Sequence, residues 1–250
     1  MQSNRRGKWS LIVVIAAAAA RSAAMPAEAQ QPAAIKPSTA ARAGKAAGAK
    51  DAQSKLGERI VGQARQMLAA FPTSSYSHTT KIDPQRGVCE VDCSGFVATV
   101  LAAVSPEHVA VIPLRKAGRK RPLAEDFYAA FASTEQGRIV GWQAVGQVQD
   151  ARPGDVLAWW KEEHKKGENT GHVMIIADSP VLERPGQWRI RILDSTATPH
   201  ASDTRPKGTT GLGSGIIWLD TDSRGRILGY HWRSATGKLN EHPVAIGRAI

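Results

Sequence analysis

At 250 residues and 42% hydrophobic, the chain is long enough for one generous domain with appendages and apolar enough to fill a core. Its net charge of +11 and pI near 10.0 invite a nucleic-acid reading, but the charge is unevenly placed. Residues 1–55 hold nine Lys or Arg against two acids, and the rest is only mildly basic, which argues against a nucleic-acid-binding face. A cationic leader of this kind is drawn to anionic surfaces, so at most peripheral membrane contact is expected.

The first 29 residues read as a secretion signal. Arg5, Arg6 and Lys8 precede the apolar run Leu11–Ala20, and Pro26-Ala27-Glu28-Ala29 supplies a small-x-small cleavage pattern. The run is shorter than the roughly 20 apolar residues of a membrane span. Residues 30–54 are Ala, Pro, Lys, Gly and Ser with almost no large apolar side chain, the composition of a disordered linker. A folded domain is expected over 55–233, with a loosely held tail over 234–250.

Within that domain, Leu56, Ile60, Ala64, Met67, Leu68 and Phe71 recur at helical spacing and stop at Pro72. A polar loop, 73–91, leads to Asp92-Cys93-Ser94-Gly95. The apolar stretch Phe96–Val104 then predicts a short buried helix with Asp92 as N-cap and Cys93 in its first turn. The basic run Arg115 to Arg121 reads as a loop, either solvated or receiving substrate carboxylates. Leu123, Phe127, Ala130 and Phe131 mark a further helix. After Arg152-Pro153-Gly154-Asp155 the pattern changes to strands: 156–160, 172–177, 188–193, 216–219 and 226–232, the last two joined as a hairpin. Helices first and strands afterwards predict an α+β domain. Gly211-Leu212-Gly213-Ser214-Gly215 lacks the helix and Lys of a phosphate loop and reads as a flexible connection. His164 reads as a solvated loop residue. The tryptophans at or near strands, Trp142 and Trp159 among them, read as core.

A cysteine that opens a helix is electrostatically favoured as its thiolate, because unpaired N–H groups and the helix dipole stabilise an anion there. Cys89 and Cys93 are four residues apart, too close for a bridge that stabilises much. Their spacing suggests instead a reversible disulfide that silences Cys93. They form neither a C-x-x-C redox pair nor half of a zinc site.

Asp92-Cys93-Ser94-Gly95-Phe96-Val97 resembles the active-site segment of the NlpC-type papain-like cysteine peptidases. The resemblance continues in order through Arg152-Pro153-Gly154-Asp155, Gly171-His172-Val173-Met174-Ile175-Ile176 and Leu193-Asp194-Ser195, and spans residues 58–195. It implies a papain-like fold, N-terminal helices on an antiparallel sheet, and amide hydrolysis by Cys93 as nucleophile, His172 as base and Asp194 as third member, with His200 the alternative third residue. Tyr76, Asp92, Ser94 and Gly171 would line the substrate site. The implied substrate is the peptide of bacterial peptidoglycan, cleaved at a bond such as that from D-glutamate to a diamino acid, in the periplasm or outside the cell. No metal or organic cofactor is implied. Two features depart from the family. The aromatic-Trp-Gly-Gly segment is replaced by Tyr76-Ser77-His78, and residues 105–151 lengthen the path from Cys93 to His172. A wall-binding protein on the same fold and a thiol acyltransferase or lipid hydrolase are the rival readings, the latter disfavoured because Cys93 precedes His172.

Overall fold

A computed structural model describes residues 39–133, 139–163 and 170–250, the first twelve of these as backbone. The expected signal segment, the beginning of the linker and His164 lie outside the described residues.

The first helix, α1 (Thr39–Ala70), starts well inside the segment expected to be a disordered linker. Residues 39–54 are rich in Ala, the strongest helix former, with few β-branched residues to oppose it, so they extend the apolar-periodic helix toward the N-terminus. Its end at Ala70, ahead of Pro72, agrees with the sequence. The expected polar loop holds a small hairpin, β1 (Lys81–Asp83) and β2 (Val88–Glu90), in which Ile82 pairs with Cys89. Next come α2 (Cys93–Val104), α3 (Pro106–Ala110) and α4 (Ala124–Ala132). Strands follow as β3 (Trp142–Ala144), β4 (Val156–Trp160), β5 (Gly171–Ile176), β6 (Val181–Arg184), β7 (Gln187–Thr196), β8 (Gly211–Thr221), β9 (Ile227–His231) and β10 (Val244–Ala249).

These strands make an antiparallel sheet in the order β3-β10-β4-β5-β7-β8-β9, with β6 paired to β7. The fold is α+β. Alternation along the strands gives the sheet two buried faces. Val156, Ala158, Val173, Ile175 and Leu193 join the core under the helices, with Phe96, Leu101, Phe127 and Phe131. Leu157, Trp159, Met174, Ile176, Ile190, Ile192 and Ile217 fill a second core on the other face. Burial on both sides explains why β4 reads as a continuous apolar run rather than an alternating one.

Two expectations about the C-terminal half are overturned. The segment read as a loose tail contains β10, which lies between β3 and β4 and buries Ile246 at 2% exposure. Arg248 of β10 forks onto buried Asp155 at 2.8 Å to each oxygen, so the Asp of the Pro-Gly-Asp turn anchors the end of the chain. The Gly-rich segment read as a flexible connection is the first half of β8, paired residue by residue with β7.

Candidate active site

Asp92 is the N-cap of α2 and its Oδ1 accepts from the Gly95 N–H at 2.6 Å, as the sequence predicts. The same carboxylate accepts from Ser94 Oγ at 3.0 Å and from Arg121 at 2.8 Å, while the other Arg121 nitrogen donates to Ser94 Oγ at 2.6 Å. Cys93 is thereby held as the first helical residue by a closed ring of side chains. The arginines of the basic loop have partners within the protein. Arg121 clamps the cap, Arg119 pairs with Glu125 and Asp126, and Arg115 lies 4.8 Å above the Trp160 ring. Of the three, only Arg121 fastens this segment to the helix that carries Cys93; Arg119 pairs within the segment and Arg115 packs on β4.

His172 arrives from β5 and Asp194 from β7. The register Ile175–Leu193 puts both on the same face of neighbouring strands, where diagonal side chains meet. His172 Nε2 lies 2.6 Å from Asp194 Oδ2. Ser195, next to Asp194, donates to the Val91 carbonyl at 2.6 Å and so ties β7 to the chain just ahead of Cys93. Burial alone would discharge the His172 ring. The charge of Cys93, the hydrogen bonds with Asp194 and Cys93, and the charge of Asp194 outweigh it and push His172 up to about 10. Because Nε2 is committed to Asp194, Nδ1 is the nitrogen left to serve Cys93. The structure thus brings His172 and Asp194 into direct contact, with the charge of Cys93 acting on the same ring.

His200, weighed as an alternative to Asp194, is instead its second donor, with Nε2 2.8 Å from the same Oδ2. Arg205 takes the other oxygen at 2.5 Å, and it also donates to the Asp194 carbonyl, the Gly211 carbonyl and Asp203. Arg205 is 7% exposed. Burial would raise the Asp194 carboxyl, but the charge of His200 and the hydrogen bonds from His172 and His200 hold it well below the usual carboxylate range. Arg205 escaped the sequence reading, although a signal for it exists. Gly213 and Gly215 alternate along β8 opposite Asp194 and Ile192, and a Cβ at either would meet Arg205 Cζ at 2.6 Å or His200 Cβ at 2.5 Å. Glycines at period two in a strand mark a lane kept clear for large side chains.

Among the described residues, His172, Asp194 and His200 are also the trio whose ligand atoms, within 4.8 Å of one another, could share a metal ion. Both Nε2 atoms already face Oδ2, however, and the guanidinium on Oδ1 supplies the positive charge that an ion would bring.

Of the expected substrate-lining residues, Tyr76 and Gly171 border hollows on both sides of the cluster. Asp92 and Ser94 line the hollow at Cys93 but are 5% and 2% exposed and engaged in the cap. Trp232 closes the cluster from above, its ring 5.2 Å from His172 and 3.9 Å from His200. Cys89 is a free thiol in the core, pushed up to about 11 by burial, which suits a packing residue rather than a partner for exchange with Cys93.

No family model matches the chain, and no solved structure does. An uncharacterized protein of Acanthamoeba polyphaga mimivirus, R653, is 31% identical over 179 residues, covering 63% of this chain and 76% of the viral protein. Identity at that level across three quarters of the relative is a whole-domain likeness, and the chain belongs to the same family as the mimivirus protein.

Proposed function

We propose that the chain is a cysteine-type peptidase or amidase of the papain-like NlpC type, exported to act on the peptides of peptidoglycan. The observation that carries the reading is His172 held between Cys93 and Asp194 and pushed up to about 10 by their charges. A thiolate–imidazolium pair has the two properties that amide cleavage needs at neutral pH, a nucleophile and an adjacent acid.

Cys93 Sγ would attack the carbonyl carbon and form a C–S bond, while N–H groups of the first turn of α2 stabilise the oxyanion. The C–N bond then breaks as His172 gives its proton to the leaving amine. Water, deprotonated by the now neutral His172, attacks the thioester, and the acid departs with the thiolate restored. Asp194 keeps the ring oriented and stabilises its charged form throughout. The leader over residues 1–29 supports export, since this substrate lies outside the membrane.

The test is twofold. Iodoacetamide at pH 7, followed by mass mapping, should label Cys93 well ahead of Cys89. Purified sacculi incubated with the protein should release peptide fragments, and the Cys93→Ala variant should release none. An inert Cys93, or undiminished release by Cys93→Ala, overturns the proposal.

A further inference from the structure

The segment over residues 105–151, which lengthens the path from Cys93 to His172, turns back to the nucleophile midway. Arg121 reaches the cap of α2, and Leu123 and Ala124, just beyond it, line the hollow of about 70 Å³ at Cys93. Ala124 is sealed in the core under the helices, whereas Leu123 belongs to neither core and is half-buried. Its side chain is therefore placed to meet what enters that hollow.

The position of Leu123 is fixed by its backbone. Its N–H donates to Asp126 Oδ2 at 2.8 Å, and Asp126 is fully buried. Arg119 donates to both oxygens of Asp126 at 3.2 and 2.9 Å, and the Arg115 N–H donates to Oδ1 at 2.7 Å. The facing walls are equally constrained. Asp92 and Ser94 are locked in the ring with Arg121, and Gly171 offers backbone alone, paired with Trp160 across the sheet. His78 borders the hollow on the solvent side, its side chain 66% exposed. A cavity of about 150 Å³ takes a benzene ring. About 70 Å³ between fixed walls admits a slender acyl group, but not one with a ring or a quaternary carbon beside its carbonyl.

In the reaction proposed above, the acyl half of the substrate becomes bonded to Cys93, so this hollow receives the carbon next to the scissile carbonyl. Resting on the hydrolase reading, we infer that the lengthened segment is a selectivity device with Leu123 as its point of contact. Leu123 is then a specificity-determining residue that restricts Cys93 to acyl groups slender at the carbon beside the carbonyl.

The probes are para-nitrophenyl acetate and para-nitrophenyl trimethylacetate, which share a leaving group and differ at that carbon. With either ester the Cys93 thiolate attacks the carbonyl carbon and forms a C–S bond. The C–O bond breaks, and para-nitrophenolate departs to leave a thioester. Each burst rate is divided by the rate with free cysteine, which removes intrinsic reactivity, and the adduct is mapped to Cys93 by mass spectrometry. The corrected rate should be at least about tenfold higher for the acetyl ester, a discrimination that a single methylene can command in an apolar pocket. Leu123→Ala should bring that ratio to within about twofold of unity by opening the wall, and Leu123→Ile, which keeps the volume, should retain most of it. A wild-type ratio near unity overturns the inference, as does a ratio unmoved by Leu123→Ala in protein that remains folded by circular dichroism. Labelling of Cys93 by iodoacetamide separates the two levels. An inert thiol sinks the hydrolase reading and this inference with it, whereas a thiol that is labelled but acylated without selectivity sinks the inference alone.

Discussion

His172 and His200 converge on one oxygen, their Nε2 atoms 2.6 and 2.8 Å from Asp194 Oδ2. With Arg205 on Oδ1, the carboxylate has a donor on each side and cannot rotate without breaking a charge-assisted bond. The orientation of the His172 ring is thus set two shells deep. Loss of His200 should be felt at Cys93 although the two are not in direct partnership. His200→Ala removes one donor while Arg205 remains, so the cost falls at the low end for a hydrogen bond to a charged group, about 1.5 kcal/mol. Labelling of Cys93 by iodoacetamide at pH 7 should slow on the order of tenfold, as one decade corresponds to about 1.4 kcal/mol. An unchanged rate would show that Arg205 suffices to orient the carboxylate.

The pH dependence follows from the direction of two shifts. His172 is pushed up from its ordinary 6.5 to about 10, so the stability it contributes is fully present below about 6.5 and is lost as pH rises through about 10. Asp194 is held below the usual range, so its contribution is present above about 3.9 and survives until pH falls through its lowered folded value. Cys93→Ala removes the charge that acts most strongly in favour of the imidazolium. Urea midpoints measured from pH 6 to 11 should then show the alkaline loss contributed by His172 ending at lower pH in the variant than in the wild-type protein. Taking the difference between the two proteins cancels the lysines and tyrosines that titrate in the same interval.

The helix start at Cys93 was legible because capping is local. An Asp followed by a small-residue turn and an apolar run specifies its own geometry. Strands β4 and β5 were legible because burial on both faces writes continuous apolar runs, and β7 because Trp188, Ile190 and Ile192 alternate with Arg189 and Arg191. The linker and the tail were misread for opposite reasons. Residues 39–54 lack large apolar side chains, yet Ala supplies helix propensity without them. Residues 244–249 are short and partly polar, and only long-range pairing with β3 and β4 makes them a strand. Arg205 could not be found from its own neighbourhood, since its partners Asp194 and Gly211 are brought to it by the β7–β8 pairing.

Arg121 reaches back from the lengthened 105–151 segment to close the ring around Asp92 and Ser94. Removing it leaves a nearly buried carboxylate beside Cys93 without its cation. Arg121→Met, which keeps the stem, should cost about 1.5–3 kcal/mol in chemical denaturation. It should also slow Cys93 labelling, because the uncompensated Asp92 charge disfavours a thiolate next to it. Arg121→Lys should restore less than half of the loss, since an ammonium cannot serve both acceptors with the same fork. Full rescue by Lys would reduce Arg121 to a point charge.

Gly171 precedes His172 with φ +144°, and a Cβ there would lie 2.0 Å from the Trp159 carbonyl oxygen. Neither the backbone angle nor the space admits another residue, and Trp159 is also the register partner of His172. Gly171→Ala should therefore force β5 away from β4 at the point where His172 is held. We expect a loss of about 3 kcal/mol or more, drawn from backbone strain and a displaced ladder, together with loss of preferential Cys93 labelling over Cys89. A stable variant that still labels Cys93 first would mean that the strand end can shift without moving the imidazole.

Deletion of residues 244–250 separates a tail from a structural strand. A tail would leave stability unchanged. Here β10 supplies hydrogen bonds to β3 on one side and β4 on the other, and Ile246 fills the second core. Arg248 is the partner of buried Asp155, and Ile250 is held by its N–H donating to the Gly141 carbonyl and by its carbonyl accepting from His108 Nε2. The truncated chain would expose both strand edges and strand a buried carboxylate, a change that alone costs about 3–5 kcal/mol. Against the 5–15 kcal/mol typical of a domain, these losses exhaust the margin. The truncated protein should show no cooperative thermal transition, while Arg248→Met in the full chain should retain one at a lower midpoint because the strand itself remains. Cooperative unfolding of the truncated chain near the wild-type midpoint would mean that β4 can stand as an edge and that β10 is an addition to the sheet rather than part of its frame.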